Sequence, residues 1–151
     1  MGINPFTSSQ RRPTICAMEL YQPQVEEIVD PDIRERYENS SRNCYTQHFV
    51  ARDEGREVGF LSLDLGPLDE PFVIYELFVP RHLRRNGFGT KLLAIAEQKA
   101  SSLGYEWTLI IPRTMDDVFS QADLESWYTR RRYEKWEEHA FGGIRKRVTP
   151  D

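Results

Sequence analysis

The chain has little cysteine: Cys16 and Cys44 are its only two among 151 residues, too few for a disulfide framework and without a CxxC pair. Its three histidines, His48, His82 and His139, stand far apart and form no HExxH-like pattern. No metal site is therefore expected. No apolar run approaches the roughly 18 residues of a spanning helix, which argues against a membrane protein. There is no internal repeat, no low-complexity tract and no excess of positive charge. The 20 Lys and Arg against 24 Asp and Glu leave a net charge of −4. That balance argues against a general nucleic-acid binder and confines any anion site to a local cluster.

What is present fits an ordinary globular domain: 39% hydrophobic, 12% aromatic and 29% charged residues. The length suits one domain with a core of its own. Residues 1–13 (MGINPFTSSQRRP) lack an apolar signal-peptide core and read as a disordered lead or an expression remnant. Residues 14–151 read as the single domain, with cytoplasmic residence as the default.

Residues 14–21 (TICAMELY) have the pattern of a first strand. Over 23–39, Val25, Ile28, Val29, Ile33 and Tyr37 recur at helical spacing, and Pro31 divides them into two short helices. Residues 44–53 and 56–65 form a hairpin about Glu54-Gly55. Residues 72–79 (FVIYELFV) are apolar apart from Glu76, the pattern of a central strand covered on both faces. A helix over about 87–103 is striped by Phe88, Leu92, Ile95, Ala96, Ala100 and Leu103, with Gly104 as terminator. Residues 105–111 make another buried strand. Residues 121–131 make a helix capped by Ser120 or Asp123, and 133–140 with 144–148 a last hairpin. This order describes an α+β domain, one sheet with helices on both faces.

The chemistry concentrates between Glu76 and Leu93, where a strand runs through a glycine turn into a helix. Residues 81–91 hold Arg81, Arg84, Arg85 and Lys91 and no acid. Gly87 and Gly89 let backbone N–H groups approach a ligand, and a helix start adds its own unpaired N–H groups and positive dipole end. The result is an anion cradle of pyrophosphate size. GxxxxGK[ST] and GxGxxG are both absent; what remains is RxxGxG, filled by Arg84, Gly87 and Gly89.

Residues 77–93 (LFVPRHLRRNGFGTKLL) resemble the acyl-CoA signature of the GNAT superfamily of acyl-CoA-dependent N-acyltransferases. Residues 123–133 (DLESWYTRRRY) resemble its second signature, a helix bearing a tyrosine and then an aromatic at the next strand. The resemblance implies α/β/α layers about a mixed, mostly antiparallel sheet of six to seven strands. It implies acetyl-CoA as acyl donor, an amine as acceptor and no metal. Main-chain groups of Leu77, Phe78 and Val79 would lie along the pantetheine arm and thioester. The amides of Arg84, Arg85, Asn86, Gly87, Phe88, Gly89 and Thr90 would hold the pyrophosphate, and Tyr128 would protonate the departing thiolate. Gln121 stands where the family often has a coenzyme-contacting Asn. Arg132-Tyr133 replaces a common Gly-Phe, which implies a different turn.

An amine must lose its proton before it attacks a thioester, since an alkyl ammonium has a pKa near ~10.4. Glu76, the lone acid in its strand, is the candidate base, because burial would raise its carboxyl toward a useful range. The same burial suits a structural ion pair with an arginine. Val79 N–H is the candidate oxyanion donor. Tyr128 reads either as the acid or as a core tyrosine with a satisfied hydroxyl. The arginines over 81–91 read as an anion cradle or as a solvated face. Arg130, Arg131 and Arg132 read as a solvated helix end, the three tryptophans as core or pocket wall, and the cysteines as packing residues. Asp64, Asp69, Glu70, Glu134, Glu137 and Glu138 are candidates to attract a cationic acceptor. The expected activity is N-acetyl transfer from acetyl-CoA to a primary amine of a small molecule, peptide or protein, by a monomer or homodimer. A non-catalytic acyl-CoA-binding module and an RNA-associated acetyltransferase are the alternatives.

Overall fold

The computed structural model describes residues 18–113, 120–138 and 143–148. In chain order the elements are β1 (Met18–Tyr21), a 3-10 turn (Val25–Glu27), α1 (Pro31–Asn39), β2 (Thr46–Asp53), β3 (Arg56–Asp64) and β4 (Phe72–Phe78). A second 3-10 turn (Arg81–Leu83), α2 (Phe88–Ser102), β5 (Trp107–Ile110), α3 (Gln121–Thr129), β6 (Glu134–Lys135) and β7 (Ile144–Arg147) follow. The seven strands form one mostly antiparallel sheet in the order β1-β2-β3-β4-β5-β7-β6. The β4–β5 pair is parallel, with Phe72 opposite Thr108 and Ile74 opposite Ile110.

The chain divides into two compact units, one from 18–41, 48–61 and 77–92, the other from 42–47, 62–76 and the described residues from 93 onward. In the first, Ile28, Ile33, Val50 and Phe60 form a buried cluster, with Tyr21, Val25, Tyr37 and Phe78 packed against it. Pro31 starts α1: Asp30 caps that helix, its carboxylate accepting from the N–H groups of Asp32 (2.9 Å) and Ile33 (3.1 Å). His48 is buried edge-on against Tyr37 and Phe60. Successive strand residues face opposite ways. Phe60 meets the α1 cluster and Gly59 lies under Leu92 of α2, so these helices cover opposite faces of β3.

In the second unit Phe72 packs edge-on against Tyr105 (5.2 Å between centroids), and Ala96, Ala100, Leu109, Ile110, Tyr128, Tyr133 and Ile144 are buried. Gly104, at φ +98°, ends α2 as its sequence position indicates.

Three expectations need correction. Strand β4 is not covered on both faces: Phe72, Ile74 and Glu76 are buried, but Val73 and Leu77 are half-buried and Tyr75 is exposed. Cys44 is exposed in the loop before β2 rather than packed; Cys16 lies outside the described residues. The last hairpin is short, with β6 only two residues long; His139 and residues 139–142 lie outside the described residues, as do 14–17 of the first strand. Trp107 and Trp136 are half-buried, with the Arg145 guanidinium 3.9 and 4.4 Å from their ring centroids. Among the described residues no helix is long and apolar enough to cross a membrane. No group of three or more His, Cys, Asp or Glu among them could hold a metal ion.

Candidate active site

The predicted cradle residues form one continuous strand–turn–helix in the first unit. Strand β4 ends at Phe78; Val79 is buried, and Pro80 opens the 3-10 turn Arg81–Leu83. Arg85 (φ +69°) and Gly87 (φ +81°) then take left-handed conformations, and α2 begins at Phe88. Two side chains hold this bend. The Arg84 Nε donates to the Val79 carbonyl at 2.9 Å, and its guanidinium lies 6.0 Å from the Phe78 ring centroid. The Asn86 amide donates to the carbonyls of Leu83 (3.0 Å) and Arg84 (3.3 Å). Buried Leu83 and Phe88 anchor the turn from below, while Arg85, Asn86, Gly87 and Thr90 are exposed and Gly89 is half-buried.

The Gly87 carbonyl accepts the Lys91 N–H at 3.1 Å, so the helical ladder starts there. The N–H groups of Phe88 and Gly89 belong to the first turn, where the helix supplies no acceptor of its own. With the helix dipole and Arg85 beside them, they suit an anionic ligand. Arg84 contributes through the shape of the bend, because its Nε is turned back onto Val79.

A cleft of about 930 Å³ opens next to this turn within the same unit, lined in part by Tyr21, Asp30, Arg52, Arg56, Glu57 and His82. Its carboxylates already serve backbone amides. Glu57 accepts from Val29 N–H (3.0 Å) and Asp30 N–H (2.7 Å). Asp30 caps α1 with one oxygen, and its other oxygen lies 3.4 Å from His82 Nε2. The Arg52 guanidinium stacks 3.6 Å over the Tyr21 ring. Sequence reasoning did not single out Asp30 or Glu57; the Asp-Pro pair at a helix start was the available signal for the first.

The second unit carries the other predicted residues. Glu76 is buried on the β4 face it shares with Phe72 and Ile74. Gln121 opens α3, and its amide donates to the Pro112 carbonyl (2.9 Å) and to Glu125 (3.1 Å). Ser120, one of the two expected caps, accepts from Asp123 N–H at 3.0 Å. Tyr128 is buried on α3, edge-on to Trp127 at 4.9 Å and Tyr133 at 5.6 Å. Burial pushes its phenol well above the ordinary value, against the lowering pull of the Arg131 charge. Arg131 folds back over the Trp127 ring at 3.8 Å and donates to the Trp127 carbonyl at 2.8 Å, so it is not simply solvated. Asp64, one of the candidate acceptor-attracting acids, is engaged by the Thr46 hydroxyl (2.7 Å) and the Asn43 amide (3.2 Å).

The turn after α3 keeps the geometry that glycine favours, although arginine occupies it. Arg132 has φ +76°. Its N–H donates to the Thr129 carbonyl (3.0 Å), and Tyr133 N–H donates to that of Tyr128 (3.2 Å). These two bonds form a Schellman motif, in which Tyr128 and Tyr133 are the flanking apolar pair. A side chain in the left-handed region costs about 1–2 kcal/mol. Arg132→Gly should therefore stabilise the protein by about 1 kcal/mol, less than the full strain because glycine also loosens the unfolded chain. A thermal melt should show a rise of about 2–4 °C; no rise means the turn is unstrained.

A sequence profile of the acetyltransferase (GNAT) family matches residues 15–117. The chain belongs to the GNAT acetyltransferase family. Solved structures of this GNAT fold resemble it closely in architecture. PaiA N-acetyltransferase from Thermoplasma acidophilum, in complex with coenzyme A, aligns at TM-score 0.58 and 14% identity over 86% of this chain and 98% of that one. The ribosomal-protein-S18-alanine N-acetyltransferase of Escherichia coli aligns at 0.60 and 12%, over 89% and 96%. A GNAT family acetyltransferase from Elizabethkingia anophelis with acetyl-CoA bound aligns at 0.58 and 10%, over 89% and 99%. At these identities the likeness is one of fold. No curated protein matches the chain.

Proposed function

We propose that this GNAT protein moves an acetyl group from acetyl-CoA to a primary amine of a small molecule, peptide or protein by direct attack. The observation that carries this reading is the bend of Arg84 to Thr90, whose left-handed residues Arg85 and Gly87 lead into the first turn of α2, where the helix supplies no acceptor for its own N–H groups. Coenzyme-bound relatives of the same fold support the choice of donor. The amides from Arg84 to Thr90 hold the pyrophosphate, and main-chain groups of Leu77, Phe78 and Val79 receive the pantetheine arm. Gln121 adds a coenzyme contact through its side chain.

In the reaction the amine nitrogen bonds to the acetyl carbon and the C–S bond breaks. Glu76, directly or through water, takes the proton the amine loses. Val79 N–H supports the oxyanion. Tyr128 gives its proton to the thiolate, a role that needs a phenol held neutral, as burial holds this one.

The test couples thiol release from acetyl-CoA over an amine panel to thermal melting with coenzyme A. Coenzyme at about 100 times Kd should add about 2.7 kcal/mol, and at least one amine should release thiol. Stabilisation without thiol release from any amine points to the non-catalytic binding module; the absence of both responses overturns the reading altogether.

A further inference from the structure

We propose that Tyr133 is a positioning residue for Tyr128, acting through a partly buried polar chain whose other members, Glu97, Thr108 and Lys146, no signature of the sequence marks. The proposal rests on the reading of Tyr128 as the proton donor. Tyr133 is held at both ends. Its main chain closes the Schellman turn by donating to the Tyr128 carbonyl at 3.2 Å. Its hydroxyl donates to Glu97 Oε2 at 2.9 Å and lies 2.9 Å from Thr108 Oγ1. The second carboxylate oxygen of Glu97 takes the Lys146 ammonium at 3.0 Å.

The proton order follows. Glu97 is an acceptor and Tyr133 has one proton to give, so Thr108 donates to Tyr133, Tyr133 to Glu97, and Lys146 to Glu97. A chain with each member satisfied fixes the ring that carries its central hydroxyl. That ring, edge-on at 5.6 Å, is one wall of the Tyr128 site, and Trp127 is another. Tyr128 therefore takes its tilt and depth from a ring tied to α2 through Glu97, to β5 through Thr108 and to β7 through Lys146.

The test compares Tyr133→Phe, Tyr128→Phe and the double variant. Phenylalanine keeps the ring and removes only the anchor. Tyr133→Phe should lower kcat about tenfold through misplacement of the donor, with KM for acetyl-CoA and coenzyme A affinity changed by less than about twofold. The double variant should be no slower than Tyr128→Phe alone, because Tyr133 has nothing left to position. Losses that multiply, or a Tyr133→Phe enzyme with full kcat, overturn the proposal while leaving the donor reading intact. An unchanged kcat in Tyr128→Phe overturns the donor reading instead. A second measurement needs no turnover: ring-labelled tyrosine NMR of the full chain. The Tyr128 ring signals should shift and its two edges should average in Tyr133→Phe. Signals identical to those of the wild type refute the anchoring.

Discussion

Tyr128→Phe should cut kcat by about 10²–10⁴-fold, the usual contribution of a positioned acid or base. The coenzyme should still bind, because the substitution leaves the bend of Arg84 to Thr90 and the first turn of α2 untouched. The variant removes one oxygen and leaves the edge-on packing against Trp127 and Tyr133 in place. Loss of kcat with KM for acetyl-CoA retained is the signature of a group that acts in the transition state. The pH profile gives a second check. Burial raises the Tyr128 phenol above its ordinary value, so the wild-type kcat should show no alkaline fall from loss of this proton up to about pH 10. A profile that falls at pH 8–9 assigns the acid to another group.

The same buried phenols predict how stability responds to alkali. Tyr128 and Tyr133 are both raised by burial, and for Tyr133 the Glu97 charge adds to the effect. Each keeps its proton in the folded state where the unfolded chain has lost it. Their contribution is complete below the ordinary tyrosine pKa of about 10 and falls above it by about 1.4 kcal/mol per pH unit for each group. Urea midpoints measured from about pH 9 to about pH 11.5 should decline accordingly, and less steeply in Tyr133→Phe.

The strand–turn–helix over 76–93 was legible because its determinants are local. A glycine that frees the backbone, a run of basic side chains and a helical stripe lie within one short segment. The anchoring of Tyr133 was not. Glu97, Thr108 and Lys146 are ordinary in their own elements, and their partners stand 36, 25 and 49 positions away in sequence. The turn at Arg132 depends on partners beyond its own residue. The Schellman hydrogen bonds and the packing of Tyr128 on Tyr133 hold an arginine at φ +76° there. In β4, Tyr75 made the apolar run look continuous, but an aromatic ring also suits a partly exposed sheet face. Tyr75 instead meets the Arg113 guanidinium at 5.7 Å.

Gly59→Ala should be among the most damaging single-methyl changes in this protein. Gly59 is fully enclosed in β3, and a methyl added there would meet the Phe78 carbonyl oxygen at 2.9 Å and Leu92 Cδ2 at 2.7 Å. Leu92 has no exposed surface into which to retreat. The Phe78 oxygen is main chain, fixed in the neighbouring strand just before Val79. A glycine inside a strand pattern, as at Gly59, signals such close approach. Overpacking costs about 1–3 kcal/mol, and the upper end applies where backbone must move. A loss of about 3 kcal/mol lowers the melting temperature by about 6–12 °C. The displacement also falls on the end of β4 and the first turns of α2, the two segments that flank the proposed pyrophosphate bend. Coenzyme A affinity should therefore weaken along with stability in Gly59→Ala, whereas Tyr128→Phe should spare it. Calorimetric titration of both variants checks the pair. An alanine variant that melts and binds like the wild type would show that Leu92 and β4 yield freely and that the bend is not set by this contact.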